Sequence, residues 1–236
     1  MVRASPRILP LMLAALALAV TAAPCAARGT GGFLRAWTVC GPLPGTRLDV
    51  PDLPADFTAY PGLMAAGGVW LPIEAETRGR VNLKGAFPQA DSGTALLHTF
   101  FQAPEDGTYR LRIGSDDGVR VDLNGRQIHL RDVQRSWRAD QDTVAVRLTA
   151  GWHRLLVRVT DHGGEWAVSV RLANEADRPI DVPHQAECPE PFVETCRLQA
   201  EATVGERAEA ARYLAVEAAR LQADLRAAVP PLAETP

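Results

Sequence analysis

Lysine is almost absent from this chain, because Lys84 is the single lysine among 25 basic residues and arginine supplies the rest. The 28 acidic residues outnumber the basic ones, which gives a formal net charge of −3 at pH 7. The basic residues are scattered rather than gathered into a patch. Binding to a nucleic acid backbone depends on such a patch, and so nucleic acid is excluded as a partner.

Long apolar runs are also lacking. The run from Ile8 to Val20 is too short for a membrane span. Arginines precede it and small residues follow it, an order typical of a Sec-type signal peptide. We therefore expect residues 1–27 to be removed by cleavage after Ala26 or Ala27, which takes away two arginines and changes the formal charge from −3 to about −5. The mature protein is predicted to be secreted or periplasmic, without a membrane span.

Cys25 leaves one alternative open at this end of the chain. In a lipoprotein, the cysteine would become the acylated first residue. Pro24 stands where such signals carry glycine, alanine or serine. Cleavage without lipidation is therefore the preferred prediction.

Cysteine is scarce, and three cysteines remain after cleavage in a compartment that favours disulfides. Seven residues separate Cys188 from Cys196, a loop that a disulfide closes easily, so we predict this bridge and a buried, free Cys40. The alternative joins Cys40 to one of the other two. No histidines accompany the cysteines at the spacing of a zinc site, and no metal site is predicted from them.

The motifs of nucleophilic catalysis are missing as well. His129, His153 and His162 are spread over different segments, and no G-x-S-x-G accompanies them. Asp116 and Asp117 are adjacent carboxylates, but neighbouring residues of a strand point to opposite faces, which is the wrong arrangement for a glycosidase pair. We therefore predict that the protein is not an enzyme.

The dominant pattern that the chain does carry is alternation of apolar and polar residues between about 33 and 173, which is less regular in its earlier part. Turn residues interrupt it every 8 to 12 residues or so, which is typical of an antiparallel β-sandwich. One stretch places Tyr109, Leu111 and Ile113 on the inner face. The next places Val119, Val121 and Leu123 inward and Arg120, Asp122 and Asn124 outward, followed by a tight turn at Asn124-Gly125 and a short return strand from Gln127 to Leu130.

Further strands follow the same pattern, with apolar alternation around 143–148, 152–160 and 165–172 that predicts a three-stranded meander. Earlier strands are expected at Phe33–Val39, Val69–Ile73 and Ala95–Gln102. The segment between the first two is rich in proline and cannot run through the middle of a sheet. A loop of that length is commonly functional or poorly ordered.

Beyond the sandwich, residues 174–204 are predicted to form a linker and residues 205–229 an amphipathic helix. Leu214, Leu221 and Leu225 recur with Ala218 at heptad-like spacing along one face of it. The narrow stripe needs a partner, which is the sandwich, another chain or a following helical repeat. Packing on the sandwich or dimerisation is the preferred interpretation, since one helix cannot show a repeat period.

Three stretches in order resemble the PA14-like modules of secreted bacterial proteins: FLRAWTVCGPLPG at 33–45, GSDDGVRVDLNG at 114–125 and LTAGWHRLLVRVTDHGGEWAVSVRL at 148–172. The resemblance implies a jelly-roll fold and the role of an accessory module in adhesion or carbohydrate binding. Some members of the wider family hold calcium through two successive aspartates, an asparagine and loop carbonyls. Asp116 and Asp117 match the aspartates, and Asp161 and Glu165 are the best candidates for a contribution from a later loop.

The candidate ligand-binding residues are thus Asp116, Asp117, Asn124 and Trp137. Trp137 lies in a polar stretch and is predicted to be the most exposed tryptophan, whereas Trp166 continues an apolar face and Trp152 is ambiguous. The alternative for the aspartates is a turn, in which each carboxylate accepts a backbone N–H two residues further on. We prefer the turn, because two carboxylates and nearby carbonyls supply only about half of the six to eight oxygens that calcium takes.

The sequence therefore favours a non-catalytic recognition module that binds a carbohydrate or a cell-envelope polymer, with no obligatory cofactor and calcium as an open option. Two alternatives remain: a scaffolding subunit that docks a protein partner through its C-terminal helix, and an accessory part of a larger secreted hydrolase.

Overall fold

A computed structural model describes residues 27–28, 31–194 and 196. The predicted signal peptide, apart from its last residue, and the predicted helix at 205–229 lie outside the described residues. The described part is mostly β, as predicted, and includes a short helix, α1 (Leu83–Ala86), a 3-10 turn at Glu190–Phe192 and helical residues at 193, 194 and 196. Its strands are β1 (Ala27–Arg28), β2 (Ala36–Leu43), β3 (Met64–Ala65), β4 (Gly68–Val69), β5 (Leu71–Glu74), β6 (Val81–Asn82), β7 (Gly93–Ala103), β8 (Gly107–Asp116), β9 (Val119–Leu123), β10 (Arg126–Arg131), β11 (Asp142–Leu148), β12 (Gly151–Asp161), β13 (Ala167–Asn174) and β14 (Pro183–Gln185).

Two antiparallel sheets enclose the main core. The larger sheet runs β5-β2-β7-β12-β9-β10, and β14 and β1 continue it from the other end of β7. The smaller sheet has the order β11-β8-β13-β6. A separate hairpin is formed by β3 and β4. The prediction that the strands are connected in the order of a jelly roll stays a prediction.

The alternation of residue types decides which side chains fill the core. Leu111, Ile113, Val119, Val121 and Val157 are fully buried between the sheets, on the faces that the sequence pattern predicts. Full burial of an aliphatic side chain contributes roughly 1.5–3 kcal/mol, so these positions supply much of the stability. The predicted turn at Asn124-Gly125 and its return strand are confirmed.

The predicted three-stranded meander is wrong. β11 and β13 both pair with β8 in the smaller sheet, whereas β12 lies between β7 and β9 in the larger one. The turns between them therefore pass the chain from one sheet to the other. Alternation shows which face of a strand is buried, but the same pattern arises whichever sheet the strand joins.

The proline-rich segment packs on the outer face of the larger sheet. A second core lies there. From the chain between β2 and β5 it contains Phe57, Ala59, Leu63 and Trp70, and from the outer face of the sheet it contains Cys40 of β2, Leu96 of β7 and Leu156 of β12. This cover corrects the prediction that Asp122 faces solvent. Asp122 is only 4% exposed and forms an ion pair with Arg158, which is 2% exposed.

The segment after β13 returns to the larger sheet through β14, which pairs with β7. The predicted disulfide between Cys188 and Cys196 is present, and Cys40 is buried and free, as expected. Within the described residues, no helix is long and apolar enough to cross a membrane.

Candidate functional site

Asp116 and Asp117 stand where the chain leaves the smaller sheet for the larger one. Asp116 ends β8 and lies opposite Ala167 of β13. The N–H of Asp117 donates to the carbonyl of Thr160 in β12, at 2.9 Å. The peptide bond between the two aspartates is cis.

The two carboxylates bind the backbones of distant segments. Asp117 Oδ1 accepts the N–H of Arg135 at 2.8 Å, and its Oδ2 accepts the N–H of His162 at 2.9 Å. Asp116 Oδ2 accepts the N–H of Trp137 at 3.0 Å. The predicted bonds to amides two residues further on are therefore wrong. The reason is that residues 132–141 and 162–166, which connect strands, pass close to the end of β8. Their N–H groups have no strand partner, and the two carboxylates accept them instead.

Burial and neighbouring acids raise the pKa of Asp116 above its usual value, and the N–H of Trp137 opposes this only in part. Asp117, Asp161 and Glu165 are the acids that contribute. Burial likewise raises the pKa of Asp161, whose Oδ1 accepts the N–H of Gly163. Asp161 Oδ2 is buried without a hydrogen-bond partner. Negative charge is thus concentrated in a poorly solvated place.

Both aspartates border one open pocket of about 490 Å³, which we call the Asp pocket. Its side chains that matter chemically are Arg80, Asp116, Asp117, Arg135, Trp137 and Glu165. The expectation that the two carboxylates point to opposite faces is wrong, because the strand ends at Asp116 and alternation does not continue to Asp117.

Trp137 is half-buried in the wall of the Asp pocket. It is more exposed than Trp166, in agreement with its polar surroundings in the sequence, and its rank relative to Trp152, which is also half-buried, stays a prediction. Its Nε1 donates to Ser169 Oγ at 3.2 Å, and its backbone is held by Asp116. The indole plane is therefore fixed before any ligand arrives. Trp166 is fully buried, as predicted, and Trp152 is half-buried away from the pocket.

Two arginines border the same pocket and are bound in different ways. Arg135 donates to Ser115 Oγ at 2.8 Å and to Asp142 Oδ2 at 2.5 Å, and the side chain of Asp142 is only 13% exposed. Arg80 pairs with Glu165 at 2.6 Å and Glu76 at 3.3 Å, which are 73% and 53% exposed. Its guanidinium carbon lies 5.7 Å from the centre of the Trp137 ring.

Asn124 is not brought to the Asp pocket. It sits in the β9–β10 turn with φ +49°, where its Nδ2 bonds His153 Nδ1 and its Oδ1 accepts the N–H of Arg154. The contacts of Asn124 thus stabilise the β9–β10 hairpin turn. The three histidines singled out from the sequence also lie apart: His153 bonds Asn124, His129 lies 3.3 Å from Asp142, and the backbone of His162 bonds Asp117.

Arg80 and Arg135 were not among the predicted site residues. Arginine is frequent in this chain, and Arg80 stands just before the two-residue strand β6, where no alternation is visible. Only the fold brings the two arginines beside Asp116. Asp161 and Glu165, the predicted contribution from a later loop, do lie near Asp116.

A set of three or more histidine, cysteine, aspartate or glutamate side chains placed to hold a metal ion is not found in the part of the chain that the structure describes. Any cation at Asp116 and Asp117 would therefore take further ligands from carbonyls, water or a bound molecule.

Comparison with known proteins supports the resemblance seen in the sequence. A family model described as PA14 domain matches residues 81–151, which include Asp116, Asp117 and Trp137. The predicted PA14-like resemblance is confirmed over these residues. No curated protein matches the sequence.

Several solved structures are similar to this chain. The PA14 domain of the antifreeze protein MpAFP is 18% identical, with a TM-score of 0.34, over 43% of this chain and 60% of that one. A PA14 sugar-binding domain from an RTX adhesin is 22% identical, with a TM-score of 0.33, over 40% and 55%. The epithelial adhesin 9 A domain from Candida glabrata in complex with Galβ1-3GlcNAc is 9% identical, with a TM-score of 0.32, over 41% and 54%. The chain thus spans less than two thirds of each of them.

Proposed function

We propose that this protein is a non-catalytic recognition module that binds carbohydrate in the Asp pocket. The observation that carries the proposal is that two acidic side chains and a fixed indole ring border one open pocket of about 490 Å³. A few convergent polar groups beside an apolar wall are typical of small-molecule sites. The PA14 match supports the proposal, since the resemblance implies adhesion or carbohydrate binding.

In this proposal, Trp137 makes the apolar contact with the sugar, and Asp116 and Asp117 make the polar contacts. The half-buried ring of Trp137 offers an apolar surface for the C–H face of a sugar ring. The carboxylates of Asp116 and Asp117 offer acceptors for hydroxyl groups. Because Trp137 and Asp117 are held by hydrogen bonds within the protein, little side-chain freedom is lost on binding.

Hydrolysis is a poorer account of the same residues. A glycosidase needs one carboxyl group that donates a proton and a second that acts as base or nucleophile. Both oxygens of Asp117 already accept backbone N–H groups, from Arg135 and His162. The remaining lone pairs of that carboxylate can still accept a hydroxyl group or bind a cation, but the group is fixed by two connections and is not free to act as the base or nucleophile beside Asp116.

Calcium is part of this proposal. The donors available are oxygens, which a hard cation prefers, and the buried Oδ2 of Asp161 lacks a partner beside the two aspartates. Asp116 and Asp117 would hold the ion. When bound, calcium supplies a positive centre to which sugar hydroxyls coordinate.

The place of action follows from the disulfide as well as the predicted signal peptide. A bridge such as Cys188–Cys196 persists in oxidising compartments. We therefore propose that the protein acts outside the cytoplasm, where glycans and envelope polymers are the available ligands.

The test is binding to a glycan array by the wild-type protein, Trp137→Ala and Trp152→Ala, each with calcium or with a chelator. Loss of the Trp137 ring is expected to weaken binding about tenfold or more, which corresponds to about 1.4 kcal/mol. Trp152 is a matched control, because it is a half-buried tryptophan outside the pocket.

Absence of binding to any glycan by a folded wild-type protein would refute the proposed function. Binding that is unaffected by the chelator would refute the calcium part alone. Melting curves of both variants show whether the fold is kept.

A further inference from the structure

Arg80 distinguishes the Asp pocket from a plain acidic cleft. The guanidinium borders the pocket and its side chain is only 19% exposed, yet its two carboxylate partners, Glu165 and Glu76, are largely in water. Ion pairs with such exposed partners contribute little to stability. A charged group that is mostly withdrawn from solvent is thus neutralised only by side chains that can easily swing away.

The second arginine of the pocket shows the contrast. Arg135 is paired with Asp142, and both side chains are mostly buried, at 16% and 13% exposed. Its backbone N–H is bound by Asp117 as well. Arg135 is therefore committed to the structure of the protein, whereas Arg80 keeps a guanidinium whose partner is replaceable.

Resting on the proposed function, we propose that the Asp pocket selects acidic sugars, because Arg80 exchanges the carboxylate of Glu165 for that of a hexuronic acid whose ring lies on Trp137. Guanidinium binds carboxylate through two parallel N–H bonds, a geometry that Glu165 does not use, since a single oxygen contacts one nitrogen. The guanidinium already lies over part of the Trp137 ring, with its carbon 5.7 Å from the ring centre. A sugar that packs on the part of the ring left open to the pocket thus has its carboxylate within reach of Arg80.

Exchange of one carboxylate for another on Arg80 also limits the repulsion between an anionic ligand and the two aspartates, Asp116 and Asp117. Glu165 borders the same pocket as Asp116 and Asp117, so its carboxylate already contributes to the negative charge there. When a ligand carboxylate takes its place on Arg80, Glu165 moves into solvent and the charge within the pocket stays the same. The Glu165 side chain is already 73% exposed, so room for this movement is present.

The experiment uses matched ligands and matched variants of the full-length protein. The ligands are three hexose and hexuronic acid pairs, namely galactose and galacturonic acid, glucose and glucuronic acid, and mannose and mannuronic acid, displayed as short oligosaccharides with calcium present. Within a pair, only the substituent at C6 differs. The variants are Arg80→Gln, Arg80→Lys and Glu165→Gln, with Arg78→Gln as control, because Arg78 is an exposed arginine outside the pocket.

The wild-type protein is expected to bind at least one acidic sugar about tenfold more tightly than its neutral partner. Arg80→Gln should remove this preference while the neutral sugar still binds, and Arg80→Lys should retain part of it. Glu165→Gln should strengthen binding of the acidic sugar severalfold, since the competing carboxylate is gone. Arg78→Gln should behave like the wild type.

Equal binding of acidic and neutral sugars by the wild type would overturn this inference and leave the proposed function standing. So would an acidic preference that survives Arg80→Gln. If neither member of any pair binds, this inference fails, and the proposed function fails with it only when the array shows no other glycan.

Discussion

His98 shows how far the environment of a single residue can depart from what its neighbours in sequence indicate. It projects from β7 on the outer face of the larger sheet, yet it is fully buried, and neither ring nitrogen has a hydrogen-bond partner. Its ring packs edge-on against Phe100, with 4.8 Å between the ring centres. Burial, helped by the positive charge of Arg154, lowers the pKa of His98 to about 3.

This depressed pKa makes folding sensitive to acid. The usual histidine pKa is about 6.5, so between about pH 6.5 and 3 the unfolded chain binds a proton at this position and the folded chain does not. Stability is therefore lost as pH falls through that window. Asp116 and Asp161 act in the opposite direction, because their folded pKa values are raised and protonation favours the folded state.

We expect the wild-type protein to lose roughly 2–3 kcal/mol more than His98→Phe on going from pH 6.5 to pH 4.5, since one pKa unit corresponds to about 1.4 kcal/mol. Urea denaturation at both pH values measures the difference. His162→Gln is the control, because His162 is exposed and should keep the wild-type dependence. An identical pH dependence in His98→Phe would contradict the assignment.

Residues of this kind mark the limit of prediction from sequence. The inward faces of β8, β9 and β12 follow directly from alternation, but His98, Asp122 and Arg158 project from the outer faces of their strands. Whether such a face meets water depends on a separate segment that covers it. No pattern within these strands indicates that the proline-rich segment covers them. The short bond between Asp122 and Arg158 likewise joins residues that are far apart in the chain.

Among the elements, the segment around residues 51–57 is held on the larger sheet by bonds to its carbonyls. Arg154 donates to the carbonyls of Ala55 and Asp56 at 2.7 and 2.8 Å. The β9–β10 turn reaches the same place, because a Cβ on Gly125 would lie 1.7 Å from the carbonyl oxygen of Ala55. The hairpin and the covering segment thus fit together only with glycine at this position.

Gly125→Ala is therefore expected to destabilise the protein by about 1–3 kcal/mol more than Gly45→Ala. Both glycines have φ near +80°, so the backbone cost of a side chain is similar at the two sites, but Gly45 has nothing within 4 Å of the added Cβ. Chemical denaturation of the two variants measures the difference. Equal losses of unfolding free energy in the two variants would mean that the backbone around Ala55 moves away from the added methyl group at no cost.

The strands themselves were more predictable than their partners. Alternation and the Asn124-Gly125 turn identify β9 and β10 as a hairpin, because pairing across a two-residue turn is local. The pairing of β8 with β11 and β13 is not local, and no pattern within any of these strands specifies it. The Asp pocket depends on this long-range pairing, which is why Arg80 could not be foreseen.

At the scale of the whole molecule, the beginning and end of the described chain are joined by one buried imidazole. His184 Nε2 accepts the N–H of Arg35 at 2.9 Å, and its Nδ1 bonds the carbonyl of Val182 at 3.0 Å. Asp181 accepts the N–H of Gly32 at 2.7 Å close by. Contacts of this kind between distant parts of the sequence make a single cooperative transition the natural expectation.

Truncation of this imidazole, His184→Ala, should lower the free energy of unfolding by roughly 2–4 kcal/mol, since it leaves a buried N–H unsatisfied and a small void. The tryptophan fluorescence and far-UV circular dichroism transitions should shift together. His162→Ala, at an exposed position, should change neither. Separate transitions for the two probes would show that β14 unfolds independently of the sandwich.

Cys40, the free cysteine among the described residues, has a consequence for the integrity of the Cys188–Cys196 bridge. Burial raises the pKa of the Cys40 thiol to about 11, so almost none of it ionises at neutral pH. Disulfide exchange requires the thiolate, and a buried sulfur is also out of reach of attacking partners. The folded molecule can therefore carry the free Cys40 thiol through an oxidising environment without exchange at the Cys188–Cys196 disulfide, and this disulfide becomes vulnerable to mispairing only when the chain unfolds.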